Sequence, residues 1–213
     1  MIYDITPPIT PDIKVWPGDT PMSREIISDL KTTPNAIVTL STLHATVHLG
    51  AHADGPNHYG KDAQGIGEQP IEPYLGRCQV IEAGIRKGKR IFPSDLDGGI
   101  DQIREQRVLI RTGTFPDHTK WNDDFAALSP DLIDALARKR VMLVGVDTPS
   151  VDLFSDKKLE AHHTILKHKI AILEGLVLRG VPQGSYELIA LPLKLIGFDA
   201  SPVRAILRTL SGR

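Results

Sequence analysis

The chain has 213 residues, with 25 Lys and Arg against 26 Asp and Glu, for a formal charge of −1. Such a balance offers no basic surface, so neither nucleic acid nor an acidic membrane is expected as a partner. With 41% hydrophobic and 24% charged residues the chain can build a core, which argues against disorder or a fibre and for one domain over residues 1–213.

Ile2, Tyr3 and Ile5 predict a short opening strand. Prolines 7, 8, 11, 17 and 21 then hold the chain irregular, because proline fixes φ and donates no ladder bond; this loop carries Trp16. Residues 36–48, AIVTLSTLHATVH, have a strand's composition and stop before Gly50. Residues 78–83, 107–111 and 141–146 are short, apolar and β-branched, as buried strands are, and 186–191 resembles them more weakly. Residues 93–106 predict a short helix around Leu96, Ile100 and Ile103. Ser129 can cap a further helix, with Pro130 at its first position, Asp131 at the positive end of the dipole, and Leu132, Ile133 and Leu136 on one face. Another helix is predicted from about 159 to 168, and the mixture reads as α/β.

Cys78 is the one cysteine, so no disulfide within the chain and no thiolate zinc site can form. The amino terminus, MIYDITPPIT, has no basic start and no apolar run of signal-peptide length, and a cytoplasmic location is expected.

Chemistry concentrates in the eleven residues His48-Leu-Gly-Ala-His52-Ala-Asp54-Gly-Pro-Asn-His58. Imidazole nitrogen and carboxylate oxygen are ligands that zinc and related ions accept without sulfur. Were the chain extended, residues 48 and 52 would stand roughly 13 Å apart, whereas ligands at about 2.0–2.1 Å from one ion must converge. The strand must therefore break. Gly50 permits this, and a helical turn after it would set His48 and His52 side by side. Gly55-Pro56 then ends the turn and returns His58 to the same mouth as a proton-transfer group. A second dense spot is Glu160-Ala-His162-His163, followed by Glu174 within the apolar run IAILEGL. A carboxylate there points to solvent, pairs with a base such as Lys167 or Arg179, or binds a cation.

HLGAHADGPNH resembles the signature of the metal-dependent cyclase family, written broadly as HxGTHxDxPxH. GVDTPSVD at 145–152, His162-His163 with Glu174 after it, and LPLKLIGFDASPVRAIL look like its kynurenine formamidase branch, in order, over nearly the whole chain. The resemblance implies a swivelling β/β/α-type fold with a mixed, partly barrel-like sheet flanked by helices, a homodimer, and a centre of two zinc ions. By analogy His48, His52 and Asp54 would hold one ion, and Asp54 would bridge to a second held by His162 and Glu174. His58 matches the family's catalytic histidine, and Trp16 matches an aromatic that contacts the substrate ring. Ala51 stands where many members carry Thr, and Gly55 is a small variation in the turn; neither changes a ligand.

The activity so implied is arylformamidase: hydrolysis of N-formyl-L-kynurenine to L-kynurenine and formate in tryptophan breakdown. Zinc lowers the pKa of bound water from 15.7 to roughly 7, and His58 would carry protons to the leaving aniline nitrogen. Two rivals stand beside it: a hydrolase or cyclase of the same family acting on another small aromatic amide or lactam of isatin type, and a metal-binding protein without catalysis. For Trp16 the competing role is packing against a neighbouring subunit. His163 competes with His162 as the ligand, and the resemblance favours His162. His44 falls upstream of the cluster, His118 and His168 read as solvated, and Cys78 reads as a small buried hydrophobe. Asp147 and Asp152 read either as acceptors that orient an imidazole or as turn residues. No G-x-S-x-G elbow, P-loop or HExxH pattern occurs, and Gly65-Ile-Gly67 meets Pro70 where a dinucleotide fingerprint needs glycine.

Overall fold

Successive residues on a strand face opposite sides, so an apolar run without alternation builds a sheet that must be covered on both faces. The computed structural model, which describes residues 1–84 and 86–210, is organised this way. Among the described residues the strands are β1 (Ile2–Asp4), β2 (Ser23–Ser28), β3 (Leu40–His44), β4 (His52–Asp54), β5 (Leu75–Glu82), β6 (Arg90–Ile91), β7 (Arg107–Arg111), β8 (Ala127–Leu128), β9 (Leu143–Val146), β10 (Ala171–Glu174), β11 (Gly184–Ile189), β12 (Ala200–Pro202) and β13 (Ile206–Thr209). The helices are α1 (Pro130–Arg138) and α2 (Glu160–His168).

Nine strands form one mixed sheet, ordered β1-β13-β11-β5-β7-β9-β10-β4-β12, which curls into a half-barrel. Its centre, β5-β7-β9-β10, is parallel, and the strands on either side run antiparallel. Alternation divides the centre between two cores. Ile81, Val108, Ile110, Val144 and Ile172 pack with Leu132, Leu136 and Ile165 of the two helices. Val80, Leu109, Leu143 and Leu173 face the other way, against Leu188 and Leu207.

The α1 helix forms as its sequence signals require: the Ser129 hydroxyl accepts the Leu132 amide at 3.0 Å, and Leu132, Ile133, Ala135 and Leu136 are buried. His168 at the end of α2, expected to be solvated, is half-buried; its Nε2 pairs with Asp134 of α1 at 2.5 Å. Residues 93–106 do not make a helix. They form two single 3-10 turns, Pro93–Asp95 and Ile100–Gln102, because Gly98 and Gly99, both at positive φ, interrupt the run.

The expected strand over 36–48 is shorter than its composition suggests. Only Leu40–His44 is extended, paired with β2 in a two-stranded ribbon outside the main sheet, since β propensity acts only where a partner strand is in reach. His44 lies on this ribbon, exposed, beside Glu25 at 3.1 Å. Nor does a helical turn follow Gly50. That residue takes φ +59, and the chain then runs extended through β4, whose two-residue period sets His52 and Asp54 on one face. Glu174 is the register partner of His52 across β4 and β10. No helix among the described residues is long and apolar enough to cross a membrane.

Candidate metal centre

The fold gathers His48, His52, Asp54, His162 and Glu174 at one place. The two ends of Asp54 define it. Its Oδ1 lies 3.2 Å from His48 Nδ1 and 3.4 Å from His52 Nε2, while Oδ2 lies 3.4 Å from His162 Nε2. Glu174 Oε2 is 3.3 Å from His52 Nε2, and Oε1 is 3.7 Å from His162 Nε2. Four ligands at about 2.0–2.1 Å from one ion in tetrahedral array stand about 3.3–3.4 Å from each other. The spacing here is therefore that of donors around an ion.

Each imidazole is fixed at one nitrogen and turned inward with the other. His52 Nδ1 donates to the Gly50 carbonyl at 2.9 Å, His162 Nδ1 to Asp152 at 2.8 Å, and His48 Nε2 to Asp199 at 3.1 Å. A histidine that ligates a metal is held in this manner. Gly50 is thus both the bend and the anchor. Its carbonyl is approached so closely by Gly175, at φ +67, that a Cβ there would sit 2.2 Å from the oxygen.

The inward atoms stand at ion-pair distance from one another but make no hydrogen bond. Among the described residues His52 Nε2 and both Asp54 oxygens are buried without a hydrogen bond, a costly state that a cation relieves. Electrostatics agree. Burial alone would push the His52 imidazole down, but Asp54 and Glu174 outweigh it and raise the group to about 10. Burial likewise opposes, and Asp152 and Asp54 then raise, His162 to about 10. Burial would lift the Asp54 carboxyl, yet His162, His48 and His52 hold it well below the usual carboxylate range. The cluster attracts positive charge, and two donor groups in it have the spacing of a cation's ligands: His52, Asp54 and Glu174 in one, His48, Asp54 and His58 in the other, with His162 beside them at Asp54 Oδ2.

Of the alternatives left open for Glu174, burial removes solvent, and Lys167 pairs with Asp134 instead; Glu174 Oε1 accepts the Val151 amide at 2.7 Å. His162 is buried and His163 exposed, so His162 is the inward ring. Asp152 orients an imidazole, whereas Asp147 accepts the Thr112 and Gly113 amides and so holds a turn. Burial pushes the Cys78 thiol up to about 12, as suits a core residue.

A cavity of about 470 Å³ opens on the cluster, lined by His48, His58, His162, Trp16, Trp121 and Phe115 among others. Part of its wall comes from the loops after β7, β9 and β10, at the carboxyl ends of the parallel strands, where open α/β sheets place their ligand sites, and part from residues 14–19 of the loop after β1. A 3-10 turn, Pro56–His58, brings His58 to the rim, its ring 4.3 Å from that of His48. Trp16 is half-buried, with ring centroids 5.1 Å from Phe154 and 5.4 Å from Trp121. His118, expected to be solvated, is half-buried. It lines the cavity and donates from Nε2 to the Gly175 carbonyl at 3.2 Å, and burial lowers its pKa.

Sequence reasoning missed Asp199, whose Oδ2 meets His48 Nε2 and lies 3.5 Å from His58 Nδ1. Its signal was a lone acid in the run GFDASP, inside a segment already noted for its resemblance to the formamidase branch.

Residues 3–153 match the model of the Cyclase family, and the chain belongs to that family. The match contains His48 to His58 and stops short of His162 and Glu174, which the fold returns to the same place. A solved structure described as a potential metal-dependent hydrolase with cyclase activity is 26% identical, with TM-score 0.80 over 97% of this chain and 96% of its own. Another, described as a predicted metal-dependent hydrolase from Bacillus stearothermophilus, is 27% identical, with TM-score 0.77 over 97% of each chain. Isatin hydrolase A from Labrenzia aggregata shares the fold at 22% identity, with TM-score 0.81 over 99% of this chain and 94% of its own.

Proposed function

We propose that the protein is a metal-dependent amide hydrolase that holds two zinc ions and cleaves N-formyl-L-kynurenine to L-kynurenine and formate. The observation that carries this reading is the orientation of three imidazoles, each anchored at one nitrogen and aimed with the other at Asp54. Two structures above 25% identity, described as a potential and a predicted metal-dependent hydrolase, support the hydrolytic part. When bound, a divalent ion supplies polarisation of the formyl oxygen and acidifies water to a pKa near 7.

The chain's own residues do the rest. Trp16 and Trp121 give the cavity an aromatic wall, and the substrate's aniline ring lies against it with the formyl group towards His52 and Glu174. His58 turns Nδ1 to Asp199, which leaves Nε2 to exchange protons with the cavity. Nε2 accepts a proton from the attacking water as its oxygen bonds to the formyl carbon. The same proton then passes to the aniline nitrogen as the carbon–nitrogen bond breaks, giving the amine and formic acid, which releases its remaining proton to solvent and leaves as formate. Glu174, held by the Val151 amide, keeps its second oxygen on His52.

A homodimer belongs to the same reading. The β2–β3 ribbon supports it, because a two-stranded ribbon is marginal in water by itself and this one exposes Ile26, Leu30, Val38, Leu43 and, at 90%, Ile37.

Formate release from N-formyl-L-kynurenine, with the zinc-loaded protein and after chelation, tests the proposal. Release that chelation abolishes and zinc restores is expected. A zinc-loaded protein that opens isatin and leaves the formamide intact belongs to the lactam rival, and one that turns over neither substrate overturns the catalytic reading.

A further inference from the structure

Helix α2 starts at Leu159, a residue in the left-handed conformation that gives the helix no side-chain cap. Two carboxylates of the preceding loop take its first amides. Glu160 N–H donates to Asp156 Oδ2 at 3.1 Å, Ala161 N–H to Asp152 Oδ1 at 2.9 Å, and His162 N–H to Asp152 Oδ2 at 3.0 Å. Asp152 Oδ2 also receives the His162 Nδ1 proton. Two acids at one helix end repel each other unless a cation lies between them.

Arg90 is that cation. Its guanidinium donates to Asp152 Oδ1 at 2.8 Å, to the Leu128 carbonyl at 2.6 Å and to Asp156, and it stands 3.3 Å from Glu160. The side chain is 14% exposed and does not line the cavity, so it touches no substrate. We propose that Arg90 is a positioning residue of the metal centre: it locks Asp152 with one oxygen on the helix start and the other on His162, so that His162 Nε2 faces Asp54. A planar fork of five donors reaches both acids and the carbonyl at once, which a lysine ammonium cannot match in geometry. The inference rests on the metal reading given above.

The test uses the full chain stripped of metal, as wild type, Arg90→Met, Arg90→Lys and Asp156→Ala. Zinc is titrated calorimetrically, and the His162 imidazole is followed by nitrogen-15 NMR in the stripped protein. Loss of an orienting group costs about 10–100-fold in metal affinity, so Arg90→Met weakens one of the two zinc affinities by that factor and leaves the other unchanged. The His162 Nδ1–H signal shifts and exchanges faster with water, and Arg90→Lys restores both only in part. Asp156→Ala removes the acceptor of the Glu160 amide without touching Asp152, and lowers the melting temperature while both zinc affinities hold.

The proposal is overturned if Arg90→Met binds both ions as wild type does with the His162 signal unmoved. It is also overturned if both affinities fall together with the melting temperature, as for a structural lesion. Should Arg90→Met fail to fold, Arg90→Lys decides by the same readouts. A wild type that binds no zinc overturns the metal reading, and in that event the His162 signal alone decides the role of Arg90.

Discussion

Replacing Asp54 by Asn keeps the shape of the side chain and removes the charge on which three imidazoles converge. Both carboxylate oxygens are buried without a hydrogen bond, at 3.2 to 3.4 Å from His48, His52 and His162. The metal-free protein also loses the charge that raises His52 and His162, so its own melting temperature falls, and only the difference between zinc and chelator isolates the metal. The metal-loaded protein loses much. Zinc at a concentration 100 times its Kd stabilises the wild type by about 2.7 kcal/mol, or about 5–11 °C in melting temperature for a domain of this size. Loss of an orienting group alone costs about 10–100-fold in affinity, and loss of the bridging charge exceeds that. At the same zinc concentration the stabilisation of Asp54→Asn then falls to about 0.4 kcal/mol or less. Paired melts by circular dichroism, with zinc and with chelator, give the comparison. A variant that gains as many degrees from zinc as the wild type refutes the reasoning.

Other consequences follow from the same geometry. His58→Ala lowers kcat by about 10²–10⁴-fold with the bound zinc unchanged; loss of zinc instead would make His58 a ligand, which its place in a donor group with His48 and Asp54 permits. In the chelated protein His52 and His162, each raised to about 10, hold protons that the unfolded chain releases near pH 6.5. Their contribution is complete below pH 6.5 and is lost as pH rises towards 10, so the urea midpoint falls across that window; a midpoint that rises from pH 6.5 to 9.5 contradicts the electrostatics. Gly175→Ala brings a Cβ to 2.2 Å from the Gly50 carbonyl at φ +67. The backbone alone costs about 1–2 kcal/mol, and the displaced carbonyl releases His52. Urea unfolding of this variant within 0.5 kcal/mol of wild type would remove Gly175 from the account.

The cluster from His48 to His58 was legible because its ligands lie close in sequence and metal chemistry restricts which residues serve. Glu174 stood out for a different reason: a carboxylate in an apolar strand needs a partner wherever the strand is buried. The α1 helix announced itself through Ser129 and Pro130, local signals that no tertiary contact had to complete. Tertiary placement hid the rest. Asp199 lies 151 residues from His48, and its one local mark, an acid in the run GFDASP, does not say what it contacts. Strand β4 has three residues, too few to display a period, so the bend at Gly50 was read as a helical turn. The ribbon depends on pairing between β2, which no local signal marks, and part of the segment 36–48, whose composition suggests one long strand. His118 and His168 sit among polar neighbours in sequence and face a carbonyl and a carboxylate in the fold.

Anomalous diffraction at the zinc edge from crystals of the zinc-loaded protein bears on the metal centre without any assay of turnover. Two peaks per chain are expected, one among His48, His52 and Asp54 and one among Asp54, His162 and Glu174. Density free of any peak between these side chains, in crystals grown with excess zinc, would contradict the metal centre and the hydrolysis built on it.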